Sequence, residues 1–437
     1  MIVPSIDILG GKAVQLRGGR HPMIEVGDPE KLAEKLSRVG EIAVVDLDAA
    51  LGKGSNKRII LNIVAKHACR VGGGIRSKDL ALEYLDAGAR AVMIGTKATP
   101  EFLSGLPAER LIAALDTNKE TIMVEGWTKA TEASLFDKIE ELKPYVSGFL
   151  VTTIDREGEM IGFDFERAAA IIEAAKGAKV TFAGGTSGGK DGVDQIARLD
   201  AMGADVQAGT AIATGELSLA AAFSAPLNSD RPDGLWPTIV CDEGGRFLGL
   251  VYSDRESLNA AFESGRGVYK SRTRGLWVKG ETSGNGQRFI RADLDCDRDC
   301  IRFTVAQEGR GFCHLDRRTC FDDGYGIEKL SRTIAARLKD APEGSYTRRL
   351  FSDSGLLASK LREEADELAV TSNATDAAFE AADVIYFALV KALREGAKLA
   401  DIEAELERRS YKVQRRPGNA KPGYDASDGG SAWTGIH

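Results

Sequence analysis

CRVGGGIRSKDLALEYLDAGARAVMIGT, residues 69–96, carries the pattern on which the fold turns. A short apolar run ends in Gly72-Gly73-Gly74, an amphipathic stretch follows, and a second run, AVMIG, ends in Gly95-Thr96. In order this is strand, glycine turn, helix, strand, glycine turn, the unit of a parallel sheet. The pattern returns in KVTFAGGTSGGKDGVDQIARLDAMGADVQAGT, residues 179–210, with Gly184-Gly185 and Gly209-Thr210 at the corresponding places. Outward from these stretches, IVPSID (2–7), IAVVDL (42–47), LIAALD (111–116) and GFLVTTI (148–154) complete eight strand candidates. Eight strands alternating with amphipathic segments over residues 1–225 predict a (β/α)8 barrel, with a doubly wound open sheet as the alternative.

The internal echo bears on chemistry as well as on fold. Glycine turns of this kind let backbone N–H groups and a helix N-terminus approach an anion closely. Gly73, Gly74, Gly95 and Thr96 in one half match Gly184, Gly185, Gly209 and Thr210 in the other, which predicts a substrate with a phosphate at each end. Tightening a βα loop is the plainer use of one such pair; its repetition at matching positions favours phosphate. Asp7 ends the first strand and Asp116 the fifth, on opposite sides of the barrel and at the strand ends where such barrels carry catalytic groups. Two carboxylates facing across one pocket suit an acid–base pair, one protonated and one ionised. Spacing alone leaves helix capping open as a second role for each.

The full length of 437 residues exceeds one ordinary core and suggests two to four domains. Hydrophobic residues at 43% and charged residues at 28% exclude a largely disordered chain. With 58 basic and 65 acidic residues the net charge of −7 argues against nucleic acid or anionic lipid as a partner. No apolar run approaches the roughly 18–20 residues of a membrane span. IVPSID follows Met1 with no basic leader, so no signal peptide is expected and the expected compartment is the cytoplasm.

At SAPLNSDRPDGLW (224–236) the composition shifts to linker residues. Residues 226–340, rich in Gly, Arg and Cys with short strand-like runs, are read as a small α+β domain. Residues 341–415 hold three helical patterns and are read as an all-α domain, and 416–437 as a disordered tail. In the middle segment Asp295, Asp297 and Asp299 alternate on one face, a crowding of carboxylates that calls for a cation such as Mg²⁺. Cys296, Cys313 and Cys320 lie in polar surroundings and make a zinc site with one position open for water. Cys69, Cys241 and Cys300 are read as structural. In the last segment Glu364 and Glu367 share one helix face, and Glu380 and Asp383 another; two such faces opposed would gather four carboxylates around Mg²⁺.

Three resemblances follow from these motifs. VPSIDILGGKAVQL, VVDLDAA, VGGGIRS, ALDTN…VEGW and the paired glycines resemble phosphoribosylformimino-aminoimidazole carboxamide ribotide isomerase of histidine biosynthesis. That family is a (β/α)8 barrel that carries out an Amadori rearrangement of a bisphosphorylated aminoaldose. The resemblance implies Asp7 as the base at the sugar C2 and Asp116 as the acid that opens the ribose ring. It also implies Arg76 as a substrate contact and Trp127 as a flat surface for the heterocycle. One departure is Glu157-Gly158-Glu159, where the family usually reads Asp-Gly-Thr. It motivates one rival, a silent barrel scaffold; a barrel that also takes phosphoribosylanthranilate is another.

YKSRTRGLWVKGETSGNGQ (269–287), LDCDRDC (294–300) and GFCHLDRRTCF (311–321) closely resemble phosphoribosyl-AMP cyclohydrolase. In that family a zinc-bound water opens the purine ring and the zinc cysteines come from two subunits, which implies a homodimer. The same resemblance makes Arg272, Arg274, Trp277, Lys279, Thr282, Ser283 and Asn285 the holders of phosphoribosyl-AMP. His314 is a candidate proton shuttle, with a hydrogen-bonded neighbour as the plainer reading. EExxE (363–367), ExxD (380–383) and SYTRRLF (345–351) resemble phosphoribosyl-ATP pyrophosphohydrolase, an all-α, Mg²⁺-dependent family. Lys360, Arg348 and Arg349 are its candidate phosphate contacts. Together the three segments predict an enzyme of small phosphoribosyl substrates covering three consecutive steps.

Overall fold

The computed structural model describes residues 1–17, 21–118, 121–124, 129–156, 159–321 and 326–414. Eight parallel strands stand at the positions that the alternation predicted. They are β1 (Ile2–Leu9), β2 (Ile42–Asp46), β3 (Cys69–Gly72), β4 (Ala91–Ile94), β5 (Leu111–Asn118), β6 (Gly148–Thr153), β7 (Lys179–Ala183) and β8 (Asp205–Ala208). β6 pairs with β7 on one side and with β5 on the other, from Gly148↔Ile112 to Thr153↔Thr117, so the sheet has no edge. That closure excludes the open doubly wound sheet. Val3, Ala43, Ala91, Met93, Ile112, Leu150 and Ala183 fill the inside. Helices packed on the outside bury apolar stripes such as Ile60, Ile63 and Val64 of Lys57–Val64.

Two hairpins interrupt the βα order, Lys12–Arg17 with His21–Gly27 after β1, and Thr121–Val124 with Lys129–Ser134 after β5. Gly10 and Gly11, with φ of 59° and 79° in a region open to glycine, turn β1 into the first of them. Neither hairpin follows from the strand–helix alternation, because both are polar insertions into βα loops.

The middle segment forms a four-stranded mixed sheet of β9 (Trp236–Cys241), β10 (Phe247–Ser253), β13 (Gln287–Leu294) and β14 (Ile301–Gln307), in the order β10-β9-β14-β13. A separate ribbon pairs β11 (Val268–Ser271) with β12 (Gly275–Val278). Helix Arg255–Ser264 opens on an Asp254–Ser257 capping box and closes at Gly265. Its Phe262 stacks on Phe289, which meets Phe303.

Five helices follow among the described residues: Gly326–Lys339, Tyr346–Ser352, Ser354–Val370, Ala374–Arg394 and Leu399–Ser410. The three expected patterns are the last three. Ile334 of the first helix packs with Leu350, Leu357, Phe387, Leu389 and Val390, so this helix shares the C-terminal core and the change of core falls near 325 rather than 340. The proposed tail at 416–437 lies outside the described residues. No helix among the described residues is long and apolar enough to cross a membrane.

The later segments touch the barrel at the N-terminal ends of its strands. Lys35, ahead of β2, pairs with Glu263 at 2.8 Å, and Asp200, ahead of β8, takes Arg298 at 2.9 Å. Asp86, ahead of β4, accepts from the amides of Val413 and Gln414, and Arg90 lies over the Tyr411 ring.

Candidate active sites

At the opposite end of the barrel a cavity of about 250 Å³ opens. The register Asp7↔Val45 and Thr152↔Asp116 brings both carboxylates to strand ends, and both line this one cavity. So do Gly73, Gly74, Arg76, Gly95, Thr96, Gly184, Gly185, Gly209 and Thr210. Burial pushes the Asp7 carboxyl from the usual carboxylate range up to about 7. The glycines are needed for the close approach of main chain. A Cβ on Gly73, at φ 88°, would lie 2.3 Å from the Asp46 carbonyl oxygen, and one on Gly209 2.6 Å from Gln15 Oε1.

The two halves differ in their helix starts. Ser77 and Thr99 cap theirs by accepting from the amides of Leu80 and Phe102. The starts at Gly188 and Gly209 carry no side-chain cap; at the first the Gly189 amide donates to the Glu216 carbonyl at 2.7 Å, whereas the second opens on the cavity. Arg76 spends two donors on the carbonyls of Ala49 and Ala50, at 2.8 and 2.9 Å, and so braces the loop after β2 at the cavity rim. Trp127, Glu157 and Gly158 lie outside the described residues, and Glu159 is exposed.

Two cavity residues escaped the sequence reading. Thr186 Oγ1 and Gln207 Oε1 are buried with no hydrogen-bond partner, and both residues line the cavity. A buried polar atom left so is costly unless a ligand completes it. Their signal was position: Thr186 follows Gly184-Gly185, and Gln207 stands two residues before Gly209.

In the middle segment the Asp295, Asp297 and Asp299 carboxylates come within 4.8 Å of one another, on the loop that follows β13 rather than along an extended strand. Hydrogen bonding to Asp295 and the charge of Asp297 raise the Asp299 carboxyl. Such mutual repulsion suits a hard divalent cation among them. The three cysteines do not meet within one chain. Buried Cys313 and exposed Cys320 lie together, and burial and the neighbouring Cys313 raise the Cys320 thiol. Cys296 is exposed on the aspartate loop, its Sγ 3.8 Å from Asp297 Oδ1.

Lys279 is buried beside the cysteine pair, 5.8 Å from the Trp277 ring centre and 5.4 Å from that of Phe312, and burial lowers its ammonium pKa. Asn285 is buried too, and its Oδ1 accepts from the Arg310 amide at 2.9 Å, so it shapes the neighbouring turn. Ser283 accepts from the Asn285 amide, and Thr282 is exposed beside it. Arg272 lies over the Tyr252 ring and Arg274 over Trp277, both exposed. His314 is exposed next to Cys313.

In the helical segment Glu364, Glu367 and Glu380 gather within 4.8 Å, and Asp383 stays outside that group. Burial and the charges of Glu367 and Glu364 raise the Glu380 carboxyl, and its Oε2 is buried without a hydrogen-bond partner. Lys360 pairs with Glu364 at 2.5 Å and Glu363 at 2.9 Å, so it faces the acids directly. These donors, all carboxylate oxygens, fit Mg²⁺.

Residues 1–218 match the family described as histidine biosynthesis protein, 249–322 phosphoribosyl-AMP cyclohydrolase, and 327–410 phosphoribosyl-ATP pyrophosphohydrolase. A histidine biosynthesis trifunctional protein of Neurospora crassa is 39% identical over 364 residues, 81% of this chain and 38% of its own length. A histidine biosynthesis bifunctional protein of Schizosaccharomyces pombe is 48% identical over 47% of this chain and 49% of its own length. A bifunctional protein HisIE of Photobacterium profundum is 35% identical over 43% of this chain and 97% of its own length. The chain thus spans half or less of the fungal relatives named here.

Proposed function

Because the chain belongs to the histidine-biosynthesis proteins, we propose that it is a trifunctional enzyme of three consecutive phosphoribosyl intermediates. The helical segment hydrolyses phosphoribosyl-ATP to phosphoribosyl-AMP and pyrophosphate. The middle segment opens the purine ring of phosphoribosyl-AMP. The barrel isomerises the resulting aminoaldose to the aminoketose. The observation that carries this reading is the meeting of Asp7 and Asp116 in one cavity flanked by both sets of glycine turns.

In the barrel, Asp116 delivers a proton to the ribose ring oxygen and the ring opens to a protonated imine. Asp7, poised near neutrality, takes the proton from C2, and the enolamine tautomerises to the ketone. The glycine turns, with the uncapped start at Gly209, hold the phosphates and set C2 against Asp7.

In the middle segment Cys313 and Cys320 would hold Zn²⁺ together with Cys296 of a second copy, and Asp295, Asp297 and Asp299 would hold Mg²⁺. Zinc bound there would acidify the water that opens the ring. His314, beside Cys313, would move a proton there, while Arg272, Arg274, Trp277, Lys279, Thr282, Ser283 and Asn285 would hold the nucleotide. The distance between Cys296 and the cysteine pair within one chain supports a homodimer. So do the exposed Leu250, Leu315 and Phe321, the last two flanking the cysteine pair. In the helical segment Glu364, Glu367 and Glu380, with Asp383 nearby, would hold Mg²⁺ against the triphosphate, and Lys360 stands by to meet it. The unpaired thiols fit the cytoplasm.

The test supplies the protein with phosphoribosyl-ATP, Mg²⁺ and Zn²⁺ and follows products by chromatography. The aminoketose is the expected end point. Accumulation of the ring-opened aminoaldose instead would make the barrel a scaffold, and turnover of phosphoribosylanthranilate would widen its specificity.

A further inference from the structure

The loop from Asp295 to Cys300 is held from outside its own domain. Arg298 stands between Asp297 and Asp299 with a φ of 66°, a region that side-chain-bearing residues enter when surrounding contacts compensate. Three contacts do so. Its Nε and Nη2 donate to the two oxygens of Asp200 at 2.9 and 3.1 Å, a bidentate pair with a carboxylate that is 8% exposed. Its Nη1 donates to the Asp295 carbonyl at 2.6 Å, and its own carbonyl accepts from the Asn228 amide at 2.8 Å. Asp200 belongs to the barrel, at the end of helix Gly189–Ala201, and also takes the Met1 ammonium at 2.7 Å.

A guanidinium in the middle of three aspartates is the natural competitor of a divalent cation, because it offers the same carboxylates charge-assisted hydrogen bonds. Among the described residues, Arg298 forms its ion pair with Asp200 and with none of Asp295, Asp297 and Asp299. We propose that Asp200 is a positioning residue for the ring-opening site: by taking the Arg298 guanidinium it keeps the three loop aspartates open to a divalent cation and fixes the loop that carries Cys296. The barrel is then a structural part of a site that it does not line. This rests on the reading of the middle segment as a metal-dependent ring-opening unit.

The test compares the full-length chain with Asp200→Asn, Asp200→Glu and Arg298→Lys, all in a Glu364→Gln/Glu367→Gln background that silences the other acidic cluster. Mn²⁺ alone is the probe, its binding followed by electron paramagnetic resonance. Asp200→Asn is expected to weaken Mn²⁺ binding about tenfold, the lower end of what a lost supporting partner costs a metal site. It should also raise KM or lower kcat for ring opening of phosphoribosyl-AMP, with barrel turnover unchanged because Asp200 lies away from that cavity. Asp200→Glu restores most of the affinity. Arg298→Lys, which keeps the charge and loses the fork, repeats the weakening should Asp200→Asn fold poorly. Unchanged Mn²⁺ binding and ring opening in Asp200→Asn overturn the inference. A parallel loss of barrel turnover overturns it too, as does an unsubstituted loop that binds no Mn²⁺. If the unsubstituted chain fails to open the ring while Asp200→Asn still weakens Mn²⁺ binding, the reaction assignment falls and the positioning role stands.

Discussion

Burial gives Asp7 two opposed consequences. A carboxyl moved up to about 7 is a far better base toward a C–H bond than an ordinary aspartate, and it is still half ionised at neutral pH. The folded state therefore binds this proton more tightly than the unfolded chain does. The stability linked to that preference is complete below the unfolded pKa of about 3.9 and is lost as pH rises through the folded value near 7. Turnover of the aminoaldose should accordingly rise with pH through about 7, measured as kcat/KM from pH 5.5 to 8.5; a flat profile removes Asp7 as the base. Asp7→Asn should lower that turnover by about 10²–10⁴-fold, yet raise the melting temperature at pH 8. The orphaned Thr186 hydroxyl makes a related case. Thr186→Val keeps the shape and removes an unpaired polar atom, so stability should hold or rise by about 1 kcal/mol. If the hydroxyl waits for substrate, KM should rise roughly tenfold, the equivalent of about 1.4 kcal/mol; an unchanged KM would make it a packing atom.

Among the elements, what the sequence made legible is what repeats or alternates. β3 and β4, with their glycine turns, recur as β7 and β8, and one closed sheet satisfies all eight runs. The three carboxylates of DCDRD do gather, but on a loop beyond the end of β13 that turns through Arg298 at φ 66°, so the loop rather than a strand's period of two brings them together. The hairpins after β1 and β5 did not read, being insertions that break no hydrophobic period. The separation of Cys296 from Cys313 and Cys320 agrees with what the resemblance implied, though spacing along the chain alone did not reveal it. Thr186 and Gln207 were invisible because an orphaned atom is a property of packing. Helix Gly326–Lys339 was placed by composition with the middle segment, whereas its buried Ile334 belongs to the C-terminal core. Ile334→Ala should therefore destabilise the helical unit by about 2–5 kcal/mol. Hydrolysis of phosphoribosyl-ATP should fall on warming at a lower temperature than in the unsubstituted chain, while the ring-opening midpoint stays in place. A joint shift of both midpoints would assign the helix to the middle unit instead.

For the whole molecule, the decisive fact is which end of the barrel the other units occupy. Lys35, Asp86, Arg90 and Asp200 all precede the strands that they sit beside, and all contact the later segments. Asp7, Asp116 and the glycine turns stand at the other end. The two ends are separated by roughly 20 Å, the length of a tilted barrel strand. Among the described residues Val3, Met93, Ile112 and Leu150 fill the interior between them, and Arg70 bridges Glu41 and Thr181. On the proposed assignment, a ring-opened product leaving the aspartate loop would reach the barrel cavity of its own chain around the outside, through water. It should therefore mix with any pool of the same compound in solution. With labelled phosphoribosyl-ATP as feed and a growing unlabelled pool of the ring-opened aminoaldose, the label in the aminoketose should fall in proportion to the pool. In the same way, Asp7→Asn mixed with Cys313→Ser should restore flux to the aminoketose, each chain supplying the step that the other lacks. Label that resists dilution would require the cavity of one copy to face the metal loop of another, and the fusion would then act through its dimer rather than through its linkers.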